Sequence, residues 1–479
     1  MLAASIRDAM PHSGIRPESP PNGGCRVMTE STLELSPTAS FAATLSALRA
    51  EDLPAPVRTL AKQCLLDVLG TTLAGAGEPA AVLARDFLVS ETTSGPCTVV
   101  GTGMSLPASA AALANGTAGH ALDFDDVIST VGHPSVAVAP AALAVAERIG
   151  ASGAALLTAF AAGVETQARL AEVVGPAHYA RGFHTTATLG SFGAAAAAAN
   201  LLGLDAERTN AALAIAGTQA AGLKAVFGTM SKPLHAGRAA ANGVVAAELA
   251  ARGFTSADDI LGDAQGFAVA ESGAFDHEVL TAGLGSPWRL RDVRFKVHAA
   301  CFLTHAAINA IIALSTEHDF AARAVERITV SVPPGHLNVC AIPEPATGLE
   351  GKFSLRVTAA LVLLHHRATP DLFTDGTVTA AGTVALRDKV TVVPDPSLDG
   401  PVATVHIELR DGREFEAFRD MDAPAWHEDP AEQQPGLLAK FHGLADPVLG
   451  VAKATRLADT LAAAEELPDV RPLCRLFRP

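Results

Sequence analysis

From about Ser36 to Gly285, apolar residues recur at three- and four-residue intervals, the spacing of a helical stripe. TASFAATLSALRAEDLPAPVRTLAKQCLLDVLGTTLAGA opens the pattern, and Pro54 and Pro56 mark the start of a new helix within it. ASAAALANGTAGHAL, PAALAVAERIG, GAALLTAFAAGVETQARLAEVV, TTATLGSFGAAAAAANLLG, AERTNAALAIAGTQAAG and AANGVVAAELAARG repeat it. So many alanines and glycines let helix backbones approach closely, which predicts a large all-α domain over residues 36–290. The pattern then changes. VERITVSVPP, KVTVVPD and ATVHIELRDGREFEAFRD alternate β-branched and polar residues, the last around an Asp411-Gly412 turn, while KFSLRVTAALVLLHH between them is helical. That predicts a smaller α+β lid domain over 291–420. Residues 421–479 return to helical spacing and are expected to pack back on the first domain. The fold class expected is therefore mainly α, with an α+β lid.

Composition narrows the classes. A chain of 479 residues exceeds what one hydrophobic core usually organises. Aromatics are only 5%, so small aliphatic side chains must fill the interior, and the mean hydropathy of +0.28 fits a well-packed protein. A formal net charge of −15 argues against nucleic acid and anionic membranes as partners. It leaves room for an anionic small molecule held by a local cluster of cations. The six cysteines are scattered without a CxxC pair, which predicts reduced, mostly buried thiols in a cytoplasmic protein and neither a zinc site nor an iron–sulfur cluster. Residues 1–35, rich in Pro and Gly at their centre, read as a disordered extension, with Met28 a possible alternative start and a mitochondrial presequence disfavoured by Asp8 and Glu18.

Four polar clusters interrupt the apolar helices: GHALDFDDVISTVGHPS, GPAHYARGFHTT, GTMSKPLHAGRAAANG and FKVHAACFLTH. Carboxylates at a helix end are usually solvated, and a histidine in a loop is usually structural. On a continuous helix His120, Asp123 and Asp126 would share faces, with His120 and Asp126 bracing the helix end. His133 is aimed by the following Pro134. Tyr179 is the only tyrosine of the chain and stands near Arg181 and His184. Lys232 and Arg238 flank a helix start, a setting that suits a carboxylate or phosphate. Taken together the clusters hold what proton abstraction beside a carboxylate needs. Lys232, Arg238, Arg181 and Lys296 are the cations for substrate, and His, Lys or Tyr can move the proton.

The order NGTAGHALDFDDV…HPS, ARGFHTTATLGSFGAAAAAANLLGL, SKPLHAGRAAANG and FKVHAACFLTHAAINA resembles the MmgE/PrpD family, which includes 2-methylcitrate dehydratase, cis-aconitate decarboxylase and iminodisuccinate epimerase. The resemblance implies a homodimer, a site between helical domain and lid, and no metal or organic cofactor. By motif it implies Asp123, His133, His184, Lys232 and His305 as active-site residues, to which Tyr179 is added as a proton donor. Val127 and Val357 stand where the decarboxylase-like pattern has Thr and Tyr, and two lost hydroxyls count against cis-aconitate as substrate. The expectation is a cofactor-independent lyase of the 2-methylcitrate dehydratase kind acting on a small di- or tricarboxylate. Epimerisation of an amino-dicarboxylate such as iminodisuccinate is the alternative. A magnesium-dependent diphosphate enzyme using DFDD, for which TSADDILGD is the only second motif, and a non-enzymatic helical binding module are the remaining readings.

Overall fold

The computed structural model describes residues 35–273, 275–283, 285–422 and 429–479. The expected N-terminal extension lies almost wholly outside them. Six helices build the part that positions the site: α1 (Ala55–Gly75), α2 (Ala108–Ala121), α3 (Ser135–Ile149), α4 (Gly153–Ala180), α5 (Thr185–Leu201) and α6 (Ser231–Ala251). Their small residues set the spacing. A Cβ on Gly116 would lie 2.8 Å from the Gly237 Cα, and one on Gly237 would lie 2.3 Å from the Leu113 carbonyl oxygen. Helices α2 and α6 therefore cross backbone against backbone, and α6 meets α5 in the same way where Gly243 lies on Ala194.

The smaller α+β part, expected as a lid, holds α7 (His305–Glu317), β1 (Val325–Val332), α8 (Leu355–His365), β2 (Val390–Pro394), β3 (Val402–Leu409) and β4 (Glu414–Asp420). The sheet runs in the order β2-β1-β3-β4, parallel between β1 and β2 and antiparallel elsewhere. Val330 pairs with Val392 on one side and Val405 on the other, so the buried face is lined by the alternating β-branched residues of the sequence. Gly412, at φ +88°, makes the turn between β3 and β4. The three expected segments supply the four strands, with the expected helix between the first two, and are thus in place. The C-terminal α9 (Gln434–Leu449) packs on α1.

Two apolar cores meet at residues 122–131. Leu122 and Phe124 belong to the core of the lid, Ile128 and Val131 to that of the helices. The acidic stretch between them passes from one core to the other, which explains why it is buried although it is charged. Cys64, Cys97, Cys301, Cys340 and Cys474 are buried free thiols, as expected. No helix among the described residues is long and apolar enough to cross a membrane.

Candidate active site

The close crossing of α2 and α6 carries His120 and Lys232 together: Lys232 Nζ lies 2.9 Å from His120 Nε2. Beyond Ala121 the chain departs from the expected helix. Asp123 sits at φ +50°, a left-handed conformation that a non-glycine residue adopts only when its surroundings impose it. Lysines supply the constraint. Lys352 donates to the Leu122 carbonyl at 2.6 Å, Lys296 to that of Asp123 at 2.9 Å, and Lys440 to that of Phe124 at 2.6 Å. Three consecutive carbonyls thus each accept from a different lysine.

The side chains of this turn diverge. Asp123 takes Lys296 at 2.6 Å on Oδ1 and faces Lys232 at 3.3 Å and His133 Nε2 at 3.4 Å. Burial opposes its ionisation, but the two ammonium groups outweigh burial and hold the carboxyl well below its usual range. Asp125 bridges two imidazoles, lying 3.0 Å from His120 Nδ1 and 3.0 Å from His133 Nδ1. Burial disfavours its charge too, and the facing imidazoles reverse the balance. Asp126 turns away. It accepts from the Ser135 hydroxyl at 2.5 Å and the Ser135 amide at 3.3 Å, and burial together with nearby Asp67 pushes its pKa up to about 8. The expectation that Asp126 shares a helix face with Asp123 is therefore corrected, because α2 stops at Ala121. His120 is not a mere brace, since it links Asp125 to Lys232.

Burial lowers the pKa of His133 to about 4, against the pull of Asp125, so the ring is neutral at rest. With Nδ1–H directed to Asp125, its Nε2 keeps a lone pair facing Asp123. Asp123 Oδ2 has Lys232 close by but no aligned hydrogen bond among the described residues. That buried oxygen therefore retains capacity for a ligand. His184, at the start of α5, stacks on His120 with ring centroids 6.0 Å apart and shares a proton with His235, Nδ1 to Nδ1 at 3.0 Å. His305 is buried at the start of α7, where its Nε2 lies 3.3 Å from the Ala300 carbonyl that also accepts from Lys296.

Four of the expected cluster members, Asp123, His133, Lys232 and Lys296, thus come into direct contact, with His184 and His305 alongside. Tyr179 does not join them by a hydrogen bond among the described residues; Lys224 Nζ sits 3.6 Å from its ring centroid. Burial raises the phenol's pKa, which makes it a weaker proton donor. Arg181 and Arg238 are exposed, and Arg181 leans toward the Ala270 carbonyl, 3.5 Å away. The structure does not bring either arginine into the buried cluster. Sequence reasoning passed over Asp125 and His235, although Asp125 alternates with Asp123 in DFDD and His235 stands three residues after Lys232 on α6.

His120, Asp123, Asp125 and His133 each offer a ligand atom, all within 4.8 Å of one another, the spacing a metal ion would need. Lys232 and Lys296 already place two positive charges against Asp123. A divalent ion would have to displace them, so the donor set fits a lysine-balanced site better than a metal centre. A separate cavity of about 1290 Å³, lined in part by Phe124, Arg419, Met421 and Lys440, shares only Lys296 with this cluster.

Comparison with known proteins follows the same chain order. Residues 39–280 match the MmgE/PrpD N-terminal domain and residues 298–466 the MmgE/PrpD C-terminal domain. The cis-aconitate decarboxylase of Homo sapiens is 30% identical, covering 92% of this chain and 94% of its own length. That of Mus musculus is 31% identical, covering 92% and 93%. That of Aspergillus terreus is 27% identical, covering 90% and 94%.

Proposed function

The chain belongs to the MmgE/PrpD family and is an enzyme, and from that premise we propose that it is a lyase acting on a small tricarboxylate by acid/base chemistry of its own side chains. The observation that carries the reading is the buried turn at Asp123, where two lysines and two histidines converge on a pair of carboxylates. At rest the two ammonium and two carboxylate charges balance, with the histidines neutral. A substrate carboxylate competes with Asp123 for Lys232 and gains a charge-assisted hydrogen bond in a dry site.

Decarboxylation is the leading reaction, because the curated relatives named above are decarboxylases. The bond from carbon to a carboxylate breaks, its electron pair stays on the substrate, carbon dioxide leaves, and one proton is delivered to the substrate carbon. His133 and His184 are the groups proposed to hold that proton. Dehydration of the 2-methylcitrate kind is the second reading, favoured by Val127 and Val357, both buried and both without a hydroxyl. There the base takes the α-proton, a double bond forms, and the hydroxyl leaves as water once protonated. The reading takes the enzyme to be a cytoplasmic homodimer that needs no metal or organic cofactor.

Incubation with cis-aconitate and, separately, with 2-methylcitrate, followed by proton NMR and carbon dioxide release, tests the reading. Gas evolution supports decarboxylation, and loss of water without gas supports dehydration. Inertness toward both, with interconversion of stereoisomers of an amino-dicarboxylate, would replace the lyase reading by an epimerase.

A further inference from the structure

A further cation stands on the segment that pairs with the backbone beside His184. The backbone of residues 182–184 pairs with that of 222–224: His184 N donates to the Gly222 carbonyl at 2.9 Å and Lys224 N to that of Gly182 at 2.8 Å. This pairing places Lys224 two residues beyond the partner of His184. The short turn Lys224–Val226 closes with Phe227 N on the Lys224 carbonyl at 2.9 Å. Phe227 in turn touches the site itself, its ring centroid 4.9 Å from that of His184 and 5.5 Å from Lys232 Nζ. The ammonium of Lys224 lies over the ring of Tyr179, 3.6 Å from its centroid.

What sets Lys224 apart is its lack of an anion. Among the described residues it is half-buried with neither a carboxylate nor a hydrogen-bond acceptor on Nζ, and the Tyr179 ring is its only close electrostatic neighbour. Lys232, Lys296 and Lys440, by contrast, each have a carboxylate, and Lys352 has two carbonyls. A partly desolvated ammonium on an aromatic face is well placed to take an anion from one side while the ring holds it from the other. Burial also lowers its pKa, so a bound anion restores what solvent has lost.

We propose that Lys224, held on Tyr179, binds a second carboxylate of the substrate, remote from the one at Lys232, and so selects tricarboxylates over dicarboxylates. This rests on the carboxylate reading of the main site. Tyr179 then serves through its ring as a platform and not through its hydroxyl as an acid.

The test uses two unreactive probes, tricarballylate and succinate, with binding measured by calorimetry at pH 7 and fixed ionic strength. The wild type is expected to prefer tricarballylate. Lys224→Gln should weaken tricarballylate by about tenfold and leave succinate unchanged, Lys224→Arg should restore the preference, and Tyr179→Leu should lose part of it. Equal weakening of both probes, or no change in either, would overturn the subsite while leaving the main site standing. If the wild type binds neither probe, the carboxylate reading fails and the subsite fails with it.

Discussion

Asp125 and Asp126 are neighbours in the chain, both fully buried, and they live in opposite electrostatic worlds. Asp125 faces two imidazoles and stays ionised; Asp126 faces Ser135, Cys64 and Asp67 and keeps its proton to about pH 8. Burial alone would protonate both. The difference lies in what each meets, and each meets it because the turn at Asp123 sends alternate side chains to opposite sides. One side is built for moving protons, the other for holding one still.

Asp125→Asn strikes the working side hardest. An amide cannot accept from both imidazoles, so one ring must change tautomer, and turnover should fall roughly a hundred- to ten-thousandfold, the range for lost acid/base function. Circular dichroism should show an intact fold, and steady-state kinetics reads the loss; activity within a fewfold of wild type would end the comparison. Lys232→Ala removes the ammonium that a substrate must share with Asp123. Activity should drop by more than about tenfold, mainly through KM if the lysine binds ground state and transition state alike.

Asp126→Asn is expected to leave turnover nearly unchanged, because asparagine resembles the protonated acid that Ser135 already meets. Its effect lies in stability. The folded pKa of about 8 exceeds the ordinary 3.8, so the contribution of Asp126 is fully present below about pH 4 and is lost as pH rises through about 8. The variant does not ionise, so its melting temperature relative to wild type should rise steadily from pH 4 to pH 8. A difference that stays flat over that range would place the proton elsewhere. The smallest expected effect is none: dialysis against a strong chelator should leave activity unaltered, whereas loss and recovery on adding magnesium or zinc would turn the His120, Asp123, Asp125, His133 group into a metal centre.

Much of this was legible in the chain. Alternation gave VERITVSV and its partners as strands, and the three- and four-residue spacing gave the helices, because both follow from one buried face per element. The grouping of Asp123, His133 and Lys232 was carried by motif. The end of α2 at Ala121 was not legible, since nothing local stops that helix; lysines 296, 352 and 440, distant in sequence, capture the carbonyls of Asp123, Leu122 and Phe124 just beyond it. For the same reason the divergence of Asp125 from Asp126 could not be read from DFDD. Arg181 and Arg238 looked like substrate cations by proximity in sequence, yet both remain exposed, while Lys296 was supplied from the segment leading into the lid.

The glycine crossing of α2 and α6 divides the labour of invention within the molecule. Gly116 and Gly237 admit no side chain, so the spacing of His120 to Lys232 is fixed by backbone contact and offers little to vary. Val357, by contrast, arrives on a separate layer with its own core. A protein engineer seeking a new reaction on this scaffold would treat the helical half, and the lysines that hold the Asp123 turn, as a fixed chassis and draw libraries from the neighbours of Val357 in the smaller domain.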